Sequence, residues 1–141
     1  MAWPGEAGWC MVSAFEGQVT PGMAQRLFIV LLNTPLENAS APLAQAAVAA
    51  AMGTQTDVVF TGDSGAIAVE GAAAAQPAAD GSGRSLHALI ADAAEAGVTF
   101  RICSPAVARF GEALIPEIRE VVGAAWLAAR VMEPDTVTLT Y

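Results

Sequence analysis

The sequence predicts an α/β domain built on a largely parallel sheet with helices on both faces. Three observations carry that reading. "LFIVLL" (27–32) is an unbroken aliphatic run of strand length, as expected of a strand buried on both sides. "SLHALIADAAEAG" (85–97) sets Leu86, Leu89, Ile90, Ala93 and Ala94 on one helical stripe between a Ser85 cap and a Gly97 stop. Strand-like and helix-like segments then take turns at short spacing, the pattern of βαβ units.

The elements follow in order. The run 27–32 ends at Asn33, Thr34 and Pro35, which cannot continue a central strand. "PLAQAAVAAAM" (42–52) reads as a helix, with Ser40 available as its cap, proline tolerated in the first turn and Gly53 as its stop. "TDVVFT" (56–61) is a second strand, and "GDSG" turns from it into a short helix, "AIAVEGAAAA". "QPAADGSG" (76–83) is the loosest stretch and reads as a mobile loop. After the helix at 85–97 come a strand, "VTFRIC" (98–103), a short strand, "EIREVV" (117–122), a helix, "AAWLAARVM" (124–132), and a last strand, "DTVTLTY" (135–141).

The chain of 141 residues suffices for one domain. Residues 1–22 carry turn formers and scattered aromatics without a sustained period and read as an N-terminal extension; residues 23–141 are the candidate domain. A formal charge of −8 with only six basic residues makes a grip on phosphate backbones or anionic membrane improbable, so neither nucleic acid nor membrane is an expected partner. Residues 38–56 carry no charge, but Asn38, Pro42, Gln45 and Gln55 mark them as an alanine-rich helix rather than a span. The two cysteines, Cys10 and Cys103, make no disulfide framework, and no basic residue precedes Arg26; a reducing cytoplasm is the expected setting. A hydrophobic fraction of 55% exceeds what so small an interior needs, which predicts burial against further copies of the chain or against a partner.

In an open parallel sheet the functional crevice forms beyond the carboxyl ends of the strands. Three loops are expected to meet there: "NTPLEN", "GDSG" and "CSPAVARFG". Asn33, Glu37, Asn38 and Asp63 are the crevice candidates, with Asp63 either capping the next helix or shaping the wall. "GDSGAIAVEG" is neither a G-x-G-x-x-G fingerprint nor a P-loop, which argues against a nucleotide. Cys103 ends its strand just before Pro105, which suits an early helical position, so backbone N–H groups favour the thiolate. Arg109 is expected to turn back and add a cation. A thiol of pKa near 8.5 is only about 3% thiolate at pH 7, whereas a shift to roughly 7 makes it about half. The opposing reading is a buried inert cysteine, because cysteine is among the most buried residue types. His87 falls off its helix's stripe and reads as a surface or interface imidazole; nothing near it has metal-ligand spacing. Trp126 falls off the face set by Ala124, Leu127, Ala128 and Val131, which suits a subunit contact.

Taken together, "RLFIVLLNTPLENASAPLAQAAVAAAM", "DVVFTGDSGAIAV" and the stretch from "LIADAAEAG" to the final tyrosine resemble the DsrE/DsrF-like family of small sulfur-trafficking proteins. The order of motifs carries the resemblance. A first strand with a Pro-Glu-Asn-like loop precedes an F-x-G-D turn; C-x5-R-x-G at Cys103, Arg109 and Gly111 follows, and then "LIP". The resemblance implies a three-layer α/β/α sandwich with a five-stranded, mostly parallel sheet, and assembly into homotrimers or hexamers. It implies that Cys103 carries sulfur as a persulfide, exchanged with a small sulfur-carrier or rhodanese-like protein, with Ser104, Arg109 and Gly111 in support and no metal or organic cofactor. Some relatives use a second cysteine nearby; residues 23–102 and 104–141 have none, so a single-thiol mechanism is expected. The alternatives are an oligomeric interaction subunit of the same fold that does no catalysis, and a small-ligand binder at the crevice.

Overall fold

The computed structural model describes residues 25–141; Cys10 and the extension expected at 1–22 lie outside them. Five strands form one sheet: β1 (Arg26–Leu31), β2 (Gln55–Phe60), β3 (Thr99–Cys103), β4 (Ile118–Val122) and β5 (Thr136–Thr140). Their order is β4-β3-β2-β1-β5, and all four pairings are parallel. The helices are α1 (Ser40–Ala51), α2 (Ala72–Ala75), α3 (Leu86–Ala96), α4 (Ser104–Phe110) and α5 (Ala124–Val131), with 3₁₀ turns at Leu36–Asn38 and Gly62–Ala68. The chain steps from β1 to β4 across one side of the sheet and returns through α5 to place β5 beyond β1. That return gives the three layers.

Side chains alternate cleanly between the two faces, as pleated strands require. Ile29 and Leu31, Val58 and Phe60, and Phe100 and Ile102 join the larger core with Leu43 of α1, Leu86 and Ile90 of α3, and Ala106 of α4. Phe60 and Phe100 stack there with ring centroids 5.8 Å apart. Phe28, Val30, Val59, Cys103 and Val122 form a smaller core on the other face, with Trp126 and Leu127 of α5 packed against it.

The second face also buries charge. Asp57, on the central strand, is only 5% exposed at its side chain and accepts a 2.5 Å hydrogen bond from Arg101 of β3. Arg101 also bonds Glu120 of β4, and its guanidinium lies 4.8 Å from the Trp126 ring centroid. Burial lowers the pKa of Arg101, but the bonds to Glu120 and Asp57 outweigh it and the net shift is upward. A β-bulge between Phe100 and Arg101 brings Glu120 opposite Arg101. Trp126 meets Phe28 edge-on at 6.0 Å and also carries Arg130 at 4.8 Å. The expectation that Trp126 lies off the packed face of its helix is therefore corrected. Trp126, Leu127 and Arg130 share the inward side of α5, while Ala124, Ala128 and Val131 of the expected face stay exposed, because a large ring buries more area than small side chains.

Local signals hold at the ends of α3, where the Ser85 hydroxyl accepts from Ala88 N–H at 3.2 Å and Gly97 takes φ +113°. They fail at α1. Its N-cap is Ala39, and the Ser40 hydroxyl instead accepts from Ala79 N–H at 2.9 Å. That bond, with Ala78 N–H to Arg84 O and a bridge from Pro77 to Ser85, ties down the stretch read as the loosest loop.

Arg101→Ala leaves Asp57 buried without its partner and is expected to cost about 3–5 kcal/mol in urea unfolding. The double change Asp57→Val with Arg101→Met should recover most of it, since it removes both charges at similar volume. An equal loss in the single and double variants would contradict this account.

Candidate functional site

The three expected loops do converge at the carboxyl ends of the strands. They enclose a cavity of about 580 Å³ lined from the first loop by Asn33 through Glu37, from the second by Asp63, Ala66 and Ile67, and from the end of α4 by Arg109 and Phe110. Asn33, Glu37, Asp63 and Arg109 are thus brought together. Asn38 closes the 3₁₀ turn through its N–H to Pro35 O at 3.0 Å but is not among the lining residues, and neither are Ser104, Gly111 and Cys103.

The GDSG motif is the mechanical basis of this corner. Gly62 has φ +53°, and a Cβ there would fall 2.7 Å from the Leu32 carbonyl oxygen. A Cβ on Gly65 would fall 2.7 Å from the Ala106 Cβ and 3.0 Å from the Phe110 ring, so the glycine lets α4 lie directly on the second loop. Between them Ser64 is fully buried, accepting from Thr34 N–H at 2.8 Å and donating to Thr34 O at 3.3 Å. One hydroxyl therefore clasps the first loop to the second. Asp63 does not cap the 3₁₀ turn, whose N-cap Thr61 makes no side-chain bond either; it pairs with Arg109. Sequence reasoning missed Thr34, Ser64 and Phe110, and only the serine beside two glycines hinted at them.

Cys103 caps α4 with an extended backbone, φ −74° and ψ 143°, and Pro105 sits in the first turn. Its side chain belongs to the opposite face of the sheet. It is 3% exposed, in the core with Phe28, Val30, Val59 and Val122. Arg109, expected to turn back toward the thiol, has Asp63 as its ion-pair partner and lies 4.8 Å from the Phe110 ring. The cation two residues before Cys103 on the same face of β3 is Arg101, held by Asp57 and Glu120. α4 thus starts at the thiol and ends at the cavity wall, about 10 Å along its axis for seven residues.

Residues 25–132 match the DsrE/DsrF-like family. The chain belongs to that family. Within this DsrE/DsrF-like domain, the matched region takes in β1 through α5, and with them the cavity, α4 and Cys103. No curated protein matches the chain. Among the described residues no helix is long and apolar enough to cross a membrane.

His87 lies off its helix's apolar stripe, as expected, and its Nε2 meets both Glu117 carboxylate oxygens at 3.0 Å. Among the described residues no three His, Cys, Asp or Glu side chains gather as a metal site.

Gly65→Ala forces α4 off the second loop and is expected to destabilise the fold by about 1–3 kcal/mol. Thermal unfolding measures it. A Tm equal to wild type would show that the helix can shift at no cost.

Proposed function

We propose that this protein is a sulfur carrier of the DsrE/DsrF-like type, with Cys103 as the sulfur-bearing residue. The observation that carries the reading is the place of Cys103. It is the one cysteine among the described residues, and it stands where β3 ends and α4 begins, inside the region matched to the family.

The chemistry needs one thiol. The Cys103 thiolate attacks the outer sulfur of a donor persulfide; a new S–S bond forms, the donor's S–S bond breaks, and the electron pair leaves on the donor thiolate. An acceptor thiolate then attacks the sulfur held on Cys103 and releases the Cys103 thiolate. No external oxidant or reductant is consumed. The donor or acceptor is a small sulfur-carrier or rhodanese-like protein of a reducing cytoplasm. At 3% exposure the thiol is shielded, so transfer requires the cover that α5 lays over the second face to open. Ser104 and Gly111 stand at the two ends of α4, and Arg109 supports the site by pairing the last turn of that helix with Asp63.

The packing of Cys103 among four apolar side chains favours a second reading, a non-catalytic subunit in which the thiol only fills space. Intact mass after incubating the reduced protein with a persulfide donor decides between the two. A carrier gains the mass of one sulfur atom, and Cys103→Ser gains none; an unchanged wild-type mass, or an adduct kept in the variant, refutes it. Alkylation of Cys103 should run to completion in a carrier and stay slow in a packing subunit.

We also infer a homo-oligomer, trimer or hexamer. Support comes from apolar side chains left in solvent around α1 and the β5 edge. Val48 and Met52 are 60% and 53% exposed, and Leu27, Val48 and Met52 line one shallow groove. Light scattering at micromolar concentration should give the mass of three or six chains. A monomer mass would overturn the inference.

A further inference from the structure

The cavity at the strand ends is lined by apolar and charged side chains and does not include Cys103. We propose that it binds a small zwitterion with an apolar side chain, of the class of the hydrophobic α-amino acids, with the ligand carboxylate on Arg109 and its ammonium facing Glu37 and Asp63.

Size and lining set the class. About 580 Å³ lies within the roughly 300–1,000 Å³ of small-molecule sites. Pro35, Leu36, Ala66, Ile67 and Phe110 supply an apolar wall. The charged groups are two carboxylates and one guanidinium, an arrangement that disfavours a plain anion.

The guanidinium decides the rest. Arg109 rests on the Phe110 ring and gives one nitrogen, Nη1, to Asp63 Oδ1. A guanidinium carries five N–H donors in a planar fork, so this single contact leaves an edge for a carboxylate. Both partners are about 60% exposed, which makes the pair weak and lets Asp63 turn toward a second cation. Glu37, on the facing loop, has no ion pair among the described residues and supplies the other acceptor. A plain cation would leave the open edge of Arg109 unused and meet its charge. A ligand carrying both charges satisfies both walls, and its side chain covers Phe110 and Ile67.

This proposal shares Arg109 with the sulfur reading but not the thiol, since Cys103 does not line the cavity, so either can fail alone. Titration calorimetry of the full chain with L-phenylalanine, 3-phenylpropionate and phenethylamine tests it, because the latter two each lack one of the two charges. L-phenylalanine should bind with Kd of about 1 mM or tighter, and each analogue about tenfold more weakly. Arg109→Gln and Glu37→Gln should each weaken L-phenylalanine about tenfold, whereas Cys103→Ser should leave it unchanged. Far-UV circular dichroism checks that the variants fold. No heat with any probe at about 10 mM, equal affinity for all three, or full affinity in folded Arg109→Gln would overturn the proposal.

Discussion

Arg101 holds the second face of the sheet together. It bonds Asp57 on the strand before it and Glu120 on the strand after it, and it lies on the Trp126 ring of α5. A parallel sheet must cover both faces. Here the first face carries α1 and α3, whereas α5 is the helix packed on the second through Trp126 and Leu127. With so little apolar cover, a guanidinium reaching two strands and a ring does what a second helix would do. The cost is desolvation of Arg101 and Asp57, which is offset only while each has its partner. The same arrangement places Cys103, two residues along β3, in a closed apolar setting.

The thiol and the cavity therefore lie on different faces of the sheet. The thiol faces α5, and the cavity opens beside α4 and the first loop on the larger core's side. α4 connects them, leaving Cys103 at its first turn and presenting Arg109 and Phe110 at its last. Its position depends on contact distances that only glycine permits at Gly65, and the Ser64 hydroxyl holds the facing loop at Thr34. A motif that resembles a phosphate turn is thus a packing device, with backbone approach serving a helix instead of a ligand.

Much of this was legible in the sequence. Strand and helix order, the caps of α3 and the convergence of three loops follow from local rules: aliphatic runs, helical stripes, and turn residues at the strand ends. These depend on neighbours within a few positions, so the chain alone carries them. The family motifs extended that reading to the sheet's strand count and to Cys103.

Tertiary structure decided which way each side chain points. Along "TFRIC", Phe100 and Ile102 enter one core and Arg101 and Cys103 the other, and a strand buried on both faces leaves no alternation in its sequence to reveal that parity. Arg101 gains its buried place from Asp57, and their pairing joins residues 44 positions apart. Trp126 reads as outward because alanines leave the face of a helix undefined; the Phe28 ring and two guanidinium groups settle it. Ser40 and Asp63 each have an open local role as a cap, and each is taken instead by a distant partner, Ala79 and Arg109. Local pattern determined the elements and their order, because hydrogen-bonding and burial periodicities repeat within a segment. Partners distant in sequence determined the site, because their encounter depends on the register of the assembled sheet.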